Sequence, residues 1–142
     1  MSGDEGRQFV DTNVLVYAHD RSAGIKQAEA AALVARLWTS GLGCVSVQVL
    51  QEFFVAITRK VPHRLDDAAA ESLVRDLASW TVFAPDADDV VAAIALHRRA
   101  RIGFWDAMIL HSAAMMGCDL VWSEDLNAGQ SYEAVTVKNP FA

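Results

Sequence analysis

Four carboxylates, those of Asp11, Glu52, Asp106 and Asp125, are the side chains of this sequence best suited to chemistry. Asp11 ends a short apolar run, and Asp125 lies just beyond another. If both runs are parallel strands, the two carboxylates reach the same edge of the sheet, because ligands bind beyond the carboxyl ends of such strands. Asp106 opens an almost wholly apolar segment, in which an unpaired charge would be costly. Glu52 lies in a helical segment and is less constrained.

Several carboxylates gathered at one place raise one another's pKa, and they stay ionised together at neutral pH only when cations lie between them. Oxygen ligands of this kind suit hard ions such as Mg²⁺ or Mn²⁺, which also accept phosphate oxygens. Such ions lower the pKa of a bound water and stabilise charge on a leaving oxygen. The acids therefore predict metal-dependent hydrolysis of a phosphodiester without a protein nucleophile.

Strands alternate with helices along the chain, and this order positions the acids. Apolar runs predict strands at residues 8–11, 44–47, 81–84, 120–123 and 134–137. Apolar spacing, helix-forming residues and terminal charges predict helices at residues 12–18, 24–38, 49–57, 66–79, 87–101 and 106–116. The alternation implies the α/β class, as a three-layer α/β/α sandwich with a central, mostly parallel sheet.

Length and composition predict a single domain over residues 1–142, with 53% hydrophobic and 21% charged residues. No apolar stretch approaches the roughly 18 residues of a membrane span, so we expect a cytoplasmic protein without a membrane partner. Cys44 and Cys118 lack a CxxC spacing and are expected to be reduced in the core.

The net charge of -6 argues against a generic RNA-binding module, because proteins that neutralise phosphates usually carry a basic surface. A metal-dependent nuclease remains compatible with this charge. Cations bound between carboxylates reverse the local field that a phosphate meets.

The acids lie in segments that resemble the four ordered acidic motifs of PIN-domain ribonucleases, particularly the VapC-type toxins. The segments are residues 9–15 (FVDTNVL), Glu52 in its helix, residues 104–109 (FWDAMI) and residues 123–125 (SED). The resemblance covers essentially the whole chain. It implies that the four acids are the catalytic, metal-binding residues, with Asn13 and Ser123 supporting the pocket.

By the same resemblance, the protein is a Mg²⁺- or Mn²⁺-dependent endoribonuclease that leaves a 5′-phosphate. It would be a homodimeric toxin inhibited by a small antitoxin that lies across the pocket. A PIN-like RNA-processing nuclease outside a toxin system is the alternative.

Two basic clusters are candidates for contact with the RNA backbone. They are Arg59 with Lys60, and Arg98 with Arg99 and Arg101. Both clusters lie at the C-terminal ends of predicted helices, where cations are expected in any case. The four tryptophans have apolar neighbours and are expected in the core or at an interface: Trp38, Trp80, Trp105 and Trp122.

Other functions are less well matched. A Mg²⁺-dependent phosphatase of the haloacid dehalogenase type needs a second Asp two residues after the first, where Asn13 stands, and usually a longer chain. A receiver domain needs a central phospho-acceptor Asp that no predicted strand carries. A degenerate domain that only binds a protein partner is the third possibility, and the intact set of four acids argues against it.

Overall fold

The computed structural model describes residues 6–127, 129, 131–132 and 134–142. In this part of the chain the strands are β1 Gln8–Val10, β2 Gly43–Ser46, β3 Thr81–Phe83, β4 Leu120–Trp122, β5 Ser131–Tyr132 and β6 Val135–Lys138. The helices are α1 Thr12–His19, α2 Ile25–Ser40, α3 Val47–Arg59, α4 Asp67–Leu77, α5 Ala87–Ala100 and α6 Phe104–Met115. A short 3-10 turn, Arg21–Ala23, lies between α1 and α2.

The described strands form one sheet in the order β3-β2-β1-β4-β6-β5. Neighbouring strands are parallel except for β5 and β6, which are antiparallel. Helix α1 packs on α2 and α3, α3 packs on α4, and α5 packs on α6. The predicted α/β sandwich with a mostly parallel sheet is confirmed.

Side-chain caps start several helices directly after strands, and this brings polar groups to the sheet edge. Asp11 caps α1, since its Oδ1 accepts from the Thr12 amide at 2.7 Å. Ser46 caps α3 in the same way, through the Val49 amide at 3.3 Å. A side-chain oxygen that accepts from the first turn satisfies an amide without a partner in the helix. The strand-to-helix junctions are therefore short, and both Asp11 and the start of α3 lie close to the sheet.

The core consists of the central strands, of α6 and of the buried faces of the other helices. Phe9, Val10 and Val45 have no exposed surface, and in α6 residues 107–110 are nearly fully buried. Removing such side chains from water contributes on the order of 25 cal/mol per Å² of apolar surface. Cys44 and Cys118 are buried and form no disulfide, as predicted.

The sequence prediction was wrong at two element boundaries that matter for the site. Helix α6 begins at Phe104 after Gly103, so Asp106 lies in its first turn and does not open it. The final strand spans Val135–Lys138, one residue later than predicted, because Ala134 has a φ of 69°. Ala134 lies between β5 and β6, and strand β5 was not predicted at all.

In the described parts of the chain, every helix is too short or too polar to cross a lipid bilayer.

Candidate active site

An open cleft of about 740 Å³ contains all four predicted acids. Asp11 follows β1, Asp125 lies just beyond β4, Glu52 comes from α3 and Asp106 from α6. Side chains separated by more than a hundred residues thus meet at the edge of the sheet where parallel strands end. The two additional pocket residues, Asn13 and Ser123, contact acids of the same cleft.

Asp11 is the buried acid of the group, with only 7% of its surface exposed. Its carboxylate accepts hydrogen bonds from the Thr12 amide at 2.7 Å and from the Ser123 hydroxyl at 2.8 Å. The pKa of Asp11 is raised to about 6, mainly by burial and to a smaller extent by the charges of Glu52 and Asp125, while the two hydrogen bonds partly offset this rise. Without a cation, Asp11 therefore titrates close to neutral pH.

Asn13 and Ser123 link the two strand ends. The Asn13 amide nitrogen lies 3.3 Å from Asp11 Oδ2 and 3.0 Å from Asp125 Oδ2, so one side chain donates to both acids. Asn13 Oδ1 accepts from the Glu124 amide at 3.1 Å. Ser123 has no exposed surface, and its oxygen accepts from the Asp125 amide at 3.2 Å while it donates to Asp11. These bonds fix the loop after β4 against the start of α1.

Asp106 and Glu52 complete the acidic rim from the helices. Burial raises the pKa of Asp106, and the neighbouring charges of Asp125 and Glu52 raise it further. Glu52 is exposed, and its Oε1 accepts from the Thr12 hydroxyl at 2.8 Å. Thr12 is a contact that sequence reasoning missed, although it directly follows Asp11.

The four acids are suitable ligands for a hard divalent cation, because they offer carboxylate oxygens and one of these carboxylates is buried. Among the described residues, no three acidic, histidine or cysteine side chains surround a point closely enough to hold an ion as they stand. Instead, Asp11 and Glu52 accept hydrogen bonds from Thr12, and Asp125 accepts one from Asn13. The carboxylates raise one another's pKa where they lie close together, as the charges of Asp125 and Glu52 do for Asp11 and Asp106, and a cation between them would offset this repulsion.

Glu124 is an acid of the cleft that the sequence did not reveal as a site residue. Its carboxylate accepts from the Tyr17 hydroxyl at 2.8 Å and forms an ion pair with Lys26. The Lys26 ammonium lowers the pKa of Glu124 and lies 5.0 Å from the centre of the Tyr17 ring. Glu124 is therefore already paired. Its partners lie about a hundred residues away in the chain, so no local sequence pattern indicates them.

Trp105 also lines the cleft, with 63% of its surface exposed. The tryptophans were expected in the core or at an interface, and the core position is wrong for Trp105 and for Trp38, which is 45% exposed. Phe104, its neighbour, is half-buried and packs against the core. The apolar residues next to Trp105 in sequence therefore lie on the buried side of α6, whereas the Trp105 ring lies on its exposed side.

Three of the five predicted basic residues line one or the other of two clefts. Lys60 lines the acidic cleft. Arg99 and Arg101 line a second, polar cleft of about 880 Å³ that also includes Asn127 and Tyr132. Arg59 and Arg98 are exposed and line neither of these two clefts.

The four acids lie in one cleft at the edge of an α/β sandwich, and sequence comparison identifies the family to which such a chain belongs. A PIN domain model matches residues 9–130, so the chain belongs to the PIN domain family, whose members are nucleases. No curated protein sequence matched the chain.

Two solved structures have similar folds. One is the Mycobacterium tuberculosis toxin VapC20, described as cleaving the Sarcin-Ricin loop: the TM-score is 0.60 at 22% identity, over 83% of this chain and 89% of that one. The other is VapBC2 from Rickettsia felis, bound to a DNA fragment from its promoter: the TM-score is 0.63 at 16% identity, over 93% of this chain and 97% of that one. At such identities the likeness concerns the fold.

Proposed function

We propose that this protein is an endoribonuclease that hydrolyses RNA phosphodiester bonds with Mg²⁺ or Mn²⁺. The observation that carries the proposal is the convergence of four carboxylates in one cleft, with Asp11 buried among them. Membership of a nuclease family supports hydrolysis of nucleic acid. The similar fold of a toxin that cleaves the Sarcin-Ricin loop favours RNA as the substrate.

In this proposal Asp11, Glu52, Asp106 and Asp125 hold the divalent cations. Bound Mg²⁺ or Mn²⁺ would supply a more acidic water and offset the charge on the leaving oxygen. Burial favours the protonated form of Asp11, so this residue gives up a proton when it becomes a ligand. Asn13 and Ser123 orient Asp11 and the loop after β4, so that the carboxylates approach the substrate from fixed positions.

Cleavage of a labelled single-stranded RNA tests this function. We expect cleavage with Mg²⁺ or Mn²⁺, none in excess EDTA, and products with a 5′-phosphate. Asp11→Asn and Asp106→Asn are expected to lower the rate at least about a hundredfold while circular dichroism stays unchanged. Asp88→Asn, an exposed acid on α5, is the matched control. Full activity in EDTA, or in both active-site variants, would refute the proposal.

A small phosphomonoester separates this function from that of a phosphatase. Asn13 donates to Asp11 and Asp125, so the position at which a haloacid dehalogenase phosphatase needs an acid carries an amide instead. We expect no release of phosphate from the phosphomonoester under conditions that cleave RNA.

We further propose a toxin of the cytoplasm that is inhibited by a small antitoxin. The fold of VapBC2 supports this biology, and the acidic cleft is open enough for a protein segment to cover. Induced expression is then expected to arrest growth, and Asp106→Asn to relieve the arrest. If the active nuclease does not affect growth, the alternative of an RNA-processing enzyme outside a toxin system is favoured.

A homodimer is also proposed, and exposed apolar residues on α5 support it. Val91 is 65% exposed, and Val90 and Ile94 are 39% and 43% exposed on the same helix. Soluble monomers rarely leave large contiguous apolar surface in water. Light scattering is expected to give the mass of two chains, and Val91→Lys to give that of one.

A further inference from the structure

Trp105 leaves most of its ring in water beside the residues proposed to act on RNA. It is 63% exposed, it lines the acidic cleft, and the next residue is Asp106. Burying an aromatic ring is a large favourable contribution to folding, and α6 buries most of its other apolar residues. The stability of the fold therefore does not explain why the Trp105 ring is exposed.

The backbone that carries this ring is held in place. The Phe104 and Trp105 rings meet edge to face, with centroids 5.0 Å apart and planes at 72°. Gln48 of α3 also lines the cleft, and its Nε2 donates to the Trp105 carbonyl at 3.5 Å. A ring on a fixed helical turn with an open surface is a preorganised platform, so a ligand that stacks on it loses little by ordering it.

The surroundings of the ring select the kind of ligand. A purely apolar protein surface over Trp105 would also cover Asp106 and its acidic neighbours and leave their charges unpaired, at a high cost in desolvation, whereas the proposed antitoxin segment would need cationic side chains to pair with them. A nucleotide fits both parts of the cleft, because cations held by the carboxylates would attract its phosphate and its base offers a flat face to the ring. Bases stack on aromatic side chains with little regard to their identity.

We propose that Trp105 stacks on an unpaired base adjoining the scissile phosphodiester, and that the enzyme thereby selects single-stranded or loop RNA over duplex RNA. The inference rests on the proposed function. Bases inside a duplex already stack on their neighbours, and only splayed or single-stranded bases can stack on a protein ring.

Binding in a variant that does not cleave tests the stacking directly. In the Asp106→Asn background with Mg²⁺, Trp105→Ala is expected to weaken binding of a single-stranded RNA by about tenfold or more. Trp105→Phe keeps an aromatic ring and is expected to restore most of the affinity. Met115→Ala is the matched control, because Met115 is 59% exposed at the other end of α6 and does not line the cleft. Duplex RNA of the same sequence is expected to bind equally to all four proteins.

Tryptophan fluorescence supplies an independent signal. Single-stranded RNA is expected to quench the emission of the Asp106→Asn protein, and Trp105→Phe to remove the quenching although binding persists. Equal affinity of Trp105→Ala and Met115→Ala for single-stranded RNA would overturn the inference. So would a loss of duplex binding as large as that of single-stranded binding, or a Trp105→Ala protein that binds RNA normally but no longer dimerises.

The two proposals fail in different ways. A protein that binds single-stranded RNA through Trp105 but cleaves no RNA with Mg²⁺ or Mn²⁺ supports the stacking and contradicts the nuclease. A nuclease whose KM for loop RNA is unchanged by Trp105→Ala contradicts the stacking alone.

Discussion

In the proposed function, Asp11 links catalysis to the stability of the fold. Its pKa is about 6 in the folded protein, above the ordinary value of 3.8, mainly because it is buried. The folded state therefore binds this proton more tightly than the unfolded state does. Stability from this group falls as pH rises from about 4 to about 6, and above that range the ionised carboxylate costs on the order of 3 kcal/mol without a cation.

Asp11→Asn is accordingly expected to stabilise the cation-free protein while it abolishes cleavage. In EDTA at pH 7.5, the melting temperature should rise by several degrees relative to the wild type, because a neutral amide replaces a buried charge. At pH 4 the two proteins should differ little, since Asp11 is then protonated. Thermal scans over this pH range with Asp88→Asn as the control make the measurement. A variant that is less stable than the wild type at pH 7.5 would show that the ionised carboxylate stabilises the fold.

Ser123→Ala is expected to shift the acidic limb of the cleavage profile to higher pH. The hydroxyl donates to Asp11 and lowers its pKa, and it also accepts from the Asp125 amide. Its loss should cost about 1–3 kcal/mol of stability, because the buried Leu126 amide, which donates to the same hydroxyl oxygen at 3.3 Å, loses its acceptor. Ser112→Ala is the control: Ser112 is equally buried but donates to Met108 within α6. If both variants leave the pH profile unchanged, Ser123 has only a structural role.

At the scale of single residues, the sequence indicated the four acids, and the family resemblance added Asn13 and Ser123, but neither indicated the contact of Thr12 with Glu52 or the pairing of Glu124. Asp11 and Asp125 were predictable because each follows an apolar run, and the motif order added Glu52. The ion pair of Glu124 with Lys26 joins residues far apart in the chain, and no local pattern encodes it. The exposure of Trp105 depends on which side of α6 meets the sheet, and an almost uniformly apolar helix does not indicate that side.

Among the elements, strand β2 leads directly into α3 and so positions Glu52. Gly43 is the residue of β2 at which a side chain has no room. A Cβ at Gly43 would lie 2.7 Å from the Trp80 ring, which packs edge to face on Trp38. Gly43→Ala is therefore expected to destabilise the protein by about 1–3 kcal/mol in urea unfolding. In a Trp80→Leu background the same change should cost much less, because the clash is removed. Equal costs in the two backgrounds would contradict this account of the contact.

The order and type of most elements could be predicted from apolar spacing and helix caps, whereas their ends depended on backbone geometry. The capping residue Asp86 indicated the start of α5, and in the structure Asp86 and Asp89 form a reciprocal capping box there. Gly103 gave no comparable signal for α6, because it offers no side chain to cap a helix. Strand β5, with two residues, is too short to show the alternation of a strand.

For the molecule as a whole, a net charge of -6 means that RNA is not attracted by the average surface. Arg99 and Arg101 in the second cleft are local exceptions. We expect Arg101→Asn to weaken RNA binding and to reduce the slope of log affinity against log salt by about 1. Asn tolerates the positive φ of 56° at this position, so the fold should persist. Arg36→Ala, on α2, is the control, and an equal slope in both variants would exclude a phosphate contact at Arg101.

Calorimetric titration of Mn²⁺ into the wild type, Asp11→Asn and Asp106→Asn tests the central claim most directly. The claim is that the four acids act together as a binding site for divalent cations. The wild type is expected to bind Mn²⁺ and, at pH 6, to release protons to the buffer, because Asp11 is then partly protonated. Both variants should bind at least tenfold more weakly, and Asp11→Asn should release fewer protons. A wild-type protein that takes up no Mn²⁺, or variants that take it up equally well, would contradict the account.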